Sequence, residues 1–126
     1  MRLHVDSNPN ANTITAYGSG YLDINKVRHD YAVTFGTSGT VERWPVTSVD
    51  DINADALAQA SKDQPEVLLI GTGSRQRFLT GPLIKPLLKA GIGVEVMTTQ
   101  AAARTFNILV AEGRRVRIAL IPEQDA

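Results

Sequence analysis

The sequence predicts an α/β domain in which an N-terminal antiparallel β meander precedes a β-α-β-α-β unit. Three observations carry this. Much of residues 13–46 alternates apolar and polar side chains with a period of two. After Val49 the apolar side chains fall on helical stripes instead. Within that second half, Val67, Leu68, Leu69 and Ile70 form a continuous apolar run stopped by Gly71, the mark of a short strand buried on both faces.

The elements follow in order. Residues 1–12 read as a loose leader, with Asn8-Pro9-Asn10 as a turn signal and nothing periodic before it. Residues 13–17 form the first strand, and Gly18-Ser19-Gly20 turns the chain. Residues 21–25 form the second, with Leu22 and Ile24 on one face, and residues 31–35 the third, with Tyr31, Val33 and Phe35 together. Residues 41–46 are a fourth strand carrying Trp44, with Pro45 suited to an edge or a strand end. These four strands make a meander with one wet face.

Asp50, Asp51 and Asn53 are capping residues for a short alanine-rich helix over 54–62, which Pro65 ends. The buried strand follows. Pro82 then suits a first helical position, and Leu83, Ile84, Leu87 and Leu88 share one stripe up to a stop at Gly91. Pro86 cannot donate its i→i−4 bond, so this helix is expected to bend or to start late. Residues 94–97 are a strand, Thr98 or Thr99 caps a helix from Gln100 to about Glu112, and residues 116–121 are the last strand, stopped by Pro122. Residues 123–126 read as a frayed tail.

Composition bounds the function. A chain of 126 residues suffices for one domain, here 1–126 with a folded core over 13–122. Apolar residues at 43% and charged residues at 21% argue against disorder. Thirteen basic residues balance thirteen acidic ones, which argues against nucleic acid or an anionic membrane as partner. The chain has no cysteine, which excludes thiol catalysis, thiolate metal sites and disulfides. The first residues lack the apolar core of a signal peptide and no apolar run is long enough to span a bilayer, so a cytoplasmic location is expected.

The candidate chemistry gathers where the apolar strand ends. Gly71, Thr72, Gly73, Ser74, Arg75 and Arg77 form a glycine turn with two cations, placed at the carboxyl edge of a parallel sheet. Thr98, Thr99 and Arg104 come from the neighbouring strand end and helix start, on the same edge. Backbone N–H groups of such a turn can hold a phosphate or carboxylate, with an arginine as the charged fork. The alternative is a tight strand exit with two solvated arginines and an ordinary helix cap.

Other site patterns fail on their spacing. A dinucleotide fingerprint needs glycine where Gln76 stands, and no Gly-Lys-Ser/Thr follows to make a P-loop. Ser74 lacks the nucleophile-elbow context, and the two histidines, His4 and His29, lie far off in sequence. No metal site and no cofactor is indicated, and no pair of carboxylates takes acid and base roles from spacing. Asn107 is a poor helix former inside a helix and implies a hydrogen bond to a neighbouring loop. Trp44 and Tyr21 close the meander's core or, alternatively, form an exposed aromatic patch for a partner.

Three stretches carry a resemblance. They are Gly71-Thr72-Gly73 after the apolar strand, residues 91–99 (GIGVEVMTT), and residues 106–114 (FNILVAEGR). Gly18, Gly20-Tyr21 and Trp44 add weaker support in the first half. Together, over roughly residues 13–122, the chain resembles a family of small uncharacterised α/β domains whose mitochondrial relatives are the respiratory complex I assembly factor 3 proteins. The resemblance implies a three-layer domain around a mixed central sheet and no settled activity.

Two functions compete. The first is a non-enzymatic factor that binds another protein and assists assembly, which the resemblance implies and the absence of a recognisable catalytic set favours. The second is a domain or enzyme that takes a small anionic ligand on the loop at 71–77. The sequence indicates no oligomeric state.

Overall fold

A computed structural model describes residues 10–124. Most of the leader, residues 1–9, and the last two residues of the tail lie outside the described residues. Among the described residues eight strands and three α-helices follow in the order β1 (Ile14–Gly18), β2 (Tyr21–Ile24), β3 (Val27–His29), β4 (Val33–Gly36), β5 (Glu42–Arg43), α1 (Ala54–Ala60), β6 (Val67–Gly71), α2 (Gly81–Lys89), β7 (Gly93–Met97), α3 (Thr99–Ala111) and β8 (Val116–Leu120), with a 3-10 turn at Val49–Asp51 before α1.

The strands form two sheets. The central sheet is mixed, in the order β5-β4-β8-β6-β7. Strand β6 pairs parallel with both β7 and β8, while β4 runs antiparallel to β8 and to β5. The smaller sheet is the antiparallel set β1-β2-β3. The crossover through α2 moves outward from β6 to β7, and that through α3 returns past β6 to β8. Right-handed crossovers in opposite directions put their helices on opposite faces. One face of the central sheet accordingly packs Val67, Leu69, Ile118 and Leu120 against Ala102, Ala103 and Phe106 of α3 and against Ile14, Tyr17, Leu22 and Ile24 of the small sheet. The other packs Leu68, Ile70 and Ala119 with Leu57 of α1, Leu87 of α2, Trp44 and Ile52. The expected three layers and mixed sheet are present, and β6 is buried throughout.

The meander differs from the expectation of four strands. It has three, and the third is β3, which the sequence reading passed over. Asn25 (φ 53°) and Lys26 (φ 68°) make a two-residue hairpin turn with positive φ at both positions. A lysine in that place hides the turn signal that glycine would give. The backbone is held there by side chains: Thr13 N–H donates to Asn25 Oδ1 at 2.9 Å and Lys26 N–H to Thr15 Oγ1 at 3.0 Å.

Strand β4 leaves the meander for the central sheet, where all four of its residues are buried. The alternation of residues 31–35 suggested a wet face because Thr34 is polar, yet its hydroxyl donates to Ile118 O at 2.8 Å and needs no water. Of residues 41–46 only Glu42–Arg43 pair as a strand. Trp44 is core rather than patch, but not the meander's core: it packs on the opposite face of the central sheet, among α1 and α2 residues, and donates from Nε1 to Ala56 O at 2.9 Å.

Among the helices, Asn53 caps α1 by accepting from Ala56 N–H at 2.8 Å. Helix α2 starts at Gly81 and runs through Pro86, so it does not start late. Its apolar stripe is narrower than expected: Leu87 is buried, but Leu88 is 57% exposed. Both chain ends are tied where they are described. Buried Asn12 donates to Gly36 O and Gly39 O, and Gly20 N–H donates to Glu123 O. No helix of the described residues is long and apolar enough to cross a membrane.

Candidate functional site

The loop after β6 sits at the carboxyl edge of the parallel strands, between the ends of β7 and β8. Gly71 is required there by packing. A Cβ at that position would lie 2.7 Å from Leu120 Cδ2 and 2.9 Å from Thr99 Cα. Gly73 is required by its backbone, at φ +94°.

Thr99 is the centre of the loop's hydrogen bonding. Its buried Oγ1 accepts from Gly73 N–H at 2.8 Å and donates to Ile121 O, while its own N–H donates to Gly73 O at 2.9 Å. Thr72 completes a second set. Its N–H donates to Met97 O, its hydroxyl donates to Arg75 O at 2.6 Å, and that hydroxyl accepts from Arg77 N–H at 3.3 Å. Gln76 Nε2 reaches Val96 O at 3.1 Å, on edge strand β7, and Ser74 Oγ donates to Gln124 O at 2.8 Å.

The nine residues singled out in sequence therefore divide. Thr72, Gly73, Ser74, Arg75 and Arg77 line one cleft of about 280 Å³, closed on its other side by Thr47, Ser48, Val49, Ile121, Pro122 and Gln124. Gly71 and Thr99 lie behind it and hold it. Thr98 is the N-cap of α3, accepting from Ala101 N–H at 3.2 Å. Arg104 lies further along α3 and does not line the cleft.

Much of the loop's polar capacity is spent on the protein itself. The N–H groups of Thr72 and Gly73, which an anion would use, serve Met97 O and Thr99 Oγ1. Arg77 pairs with Asp50 at 2.8 Å. Asp51 sits beside Asp50 and accepts from the N–H groups of Thr47 and Ser48. Arg75 is exposed and forms no ion pair among the described residues. His29 stands elsewhere, on the small sheet, with Nδ1 3.3 Å from the Tyr31 hydroxyl.

Two residues escaped the sequence reading. Arg117, the second residue of β8, is buried. Its guanidinium donates to Ala60 O at 3.0 Å and to Gln59 O and Thr34 Oγ1, each at 3.3 Å, so it serves the carboxyl end of α1. Burial pulls its pKa below the ordinary arginine value, and the charges of Glu42 and Asp63 oppose that shift. The signal was a cation inside the run Val116-Arg117-Ile118-Ala119-Leu120-Ile121. The second is Phe78, just beyond the loop, which is 83% exposed.

Fold and edge loop together define an α/β domain with a small antiparallel sheet and one helix covering one face of a mixed five-stranded sheet. A crystal structure of a protein from Bordetella parapertussis has this architecture, with a TM-score of 0.88 and 52% identity over 93% of this chain and 100% of that one. A solution NMR structure from Bordetella pertussis matches with a TM-score of 0.84 and 45% identity, covering 100% of this chain and 95% of that one. The chain belongs to the family described as "protein of unknown function (DUF498/DUF598)", which matches residues 14–121. A Xenopus tropicalis relative named NADH dehydrogenase [ubiquinone] 1 alpha subcomplex assembly factor 3 is 40% identical over 84 residues, 65% of this chain and 46% of that protein. The chain spans about half the length of the assembly factors it first matches. An uncharacterised Rhodobacter capsulatus protein is 34% identical over 86% of this chain and 83% of its own length.

Proposed function

We propose that this chain is a non-enzymatic, protein-binding factor that assists assembly of a larger complex. Its similarity to the assembly factor 3 proteins carries the reading. The edge loop supports it. The hydroxyls of Thr72, Ser74 and Thr99 each donate to backbone carbonyls, so all three act as braces for the loop. A nucleophile would instead need its proton directed at a base. Affinity purification of the tagged chain from cells that express it tests the reading. A stoichiometric protein partner is expected; a chain that purifies alone and is stabilised by a metabolite would refute it.

A second reading rests on the cleft itself. Arg75 and Arg77 line it together with Ser74, a set that suits a small anion if Arg77 exchanges Asp50 for the ligand. Phosphate should then raise the melting temperature of the parent more than of Arg75→Ala or Arg77→Ala, beyond what chloride achieves at equal ionic strength.

A further inference from the structure

Segment 74–80 carries a side chain that the fold leaves outside. Among the described residues Phe78 is 83% exposed, more than the other exposed large hydrophobic side chains, Val27, Leu88 and Ile108. A phenylalanine standing in water forgoes roughly 1.5–3 kcal/mol of burial, so a free chain gains nothing from it there. The loop that presents it is nevertheless braced. Thr72 Oγ1 bonds Arg75 O and Arg77 N–H, Gln76 bonds Val96 O on β7, and Arg77 bonds Asp50. The chain leading into Phe78 is thus ordered as far as Arg77, so less backbone entropy remains to be lost when a partner covers it.

Charge identifies the partner's chemistry. The 28 residues between Glu66 and Glu95 contain Arg75, Arg77, Lys85 and Lys89 and no acidic residue, in a chain whose net charge is zero. Aromatic and arginine side chains side by side are the usual anchors of protein interfaces. An anionic bilayer fits less well. Asp50, whose side chain is 77% exposed, sits in the patch against Arg77, and headgroup phosphates would repel it. A protein surface can pair an arginine fork with a carboxylate one contact at a time.

We propose that segment 74–80 is a docking loop for an acidic protein surface with an apolar recess, in which Phe78 is the anchor and Arg75 its charged neighbour. The proposal rests on the protein-binding reading above and names the surface and the partner's chemistry. Panning phage-displayed random peptides against the immobilised chain tests it. Enriched peptides should combine Asp or Glu with large apolar side chains and release as salt rises. They should bind Phe78→Ser and Arg75→Glu at least tenfold more weakly than the parent, and Ile108→Ser, an equally folded control altered on α3, as well as the parent. Absence of enrichment, enrichment without acidic bias, or undiminished binding to Phe78→Ser overturns the proposal. Phe78-dependent retention on phosphatidylglycerol vesicles without peptide enrichment also overturns it and assigns the loop to a membrane. A partner recovered equally from cells by the parent and Phe78→Ser removes the docking loop and leaves the assembly reading standing.

Discussion

Asn107 of α3 bonds Ile14 of β1 in both directions: its amide donates to Ile14 O at 3.2 Å, and its carbonyl accepts from Ile14 N–H at 3.4 Å. One side chain thus replaces a strand neighbour for the first residue of β1 and fastens the small sheet to the helix beneath it. Asn107→Ala should cost about 1–2 kcal/mol, two net hydrogen bonds less the gain in helix propensity. Urea denaturation reads this directly. Ile108→Ala, on the exposed side of the same turn, should change stability by less than about 0.5 kcal/mol.

Two glycines at the ends of one connection should respond oppositely to alanine. At Gly71 a methyl group meets Leu120 and Thr99 below 3.0 Å, and one of those contacts is backbone, which cannot swing aside. Gly71→Ala should therefore cost about 1–3 kcal/mol by overpacking. Gly81 opens α2 with nothing within 4 Å of the added carbon. Gly81→Ala should be neutral or stabilise by up to about 1 kcal/mol through helix propensity and the unfolded chain. Equal melting temperatures for the two variants would contradict this account.

Comparing these positions shows what the sequence made legible. Val67–Gly71, the helical crossovers and the carboxyl-edge loop were readable because a fully buried strand and two helical stripes leave local patterns. Asn107 was readable as a residue needing a partner, although the partner is a strand rather than a loop. The allegiance of β4 was not readable, because a strand paired with β8 eighty residues later leaves no local trace. Neither was β3, whose turn depends on a lysine at positive φ. The candidate site was half legible. Spacing placed the cleft residues together, but the number of donors already spent on Met97 and Thr99 is a tertiary fact.

Glu42 and Lys62 predict a pH dependence. The Lys62 ammonium, 2.7 Å from Oε1, holds the Glu42 carboxyl below its ordinary value of 4.5; burial opposes that shift, and Arg117 adds to it. The folded state thus binds fewer protons than the unfolded one just below the ordinary value, so stability rises with pH there. The contribution is complete above the unfolded-state pKa and is lost as pH falls through the folded-state value. Glu42→Gln should be less stable than the parent near neutral pH, and the gap should close on acidification. A gap unchanged between about pH 7 and pH 3 would show that the ion pair contributes nothing.

Thr99→Val tests whether the edge loop is held as described. Valine keeps the shape and removes the hydroxyl, so Gly73 N–H loses its acceptor and Ile121 O loses the Thr99 donor, all in buried surroundings. An unsatisfied buried amide costs about 1–3 kcal/mol, and the variant should be destabilised by at least that much. Thr99→Ser retains the hydroxyl and should lose only methyl packing, about 1 kcal/mol. Hydrogen exchange separates a local effect from a global one. In the valine variant the Gly73 amide should exchange far faster than in the parent, while amides of β6 and β8 speed up only in proportion to the loss of global stability. In the serine variant Gly73 should keep its protection. If the valine variant protects Gly73 as the parent does, Thr99 is not what holds the loop, and the bracing attributed to it must come from the Thr72 hydrogen bonds alone.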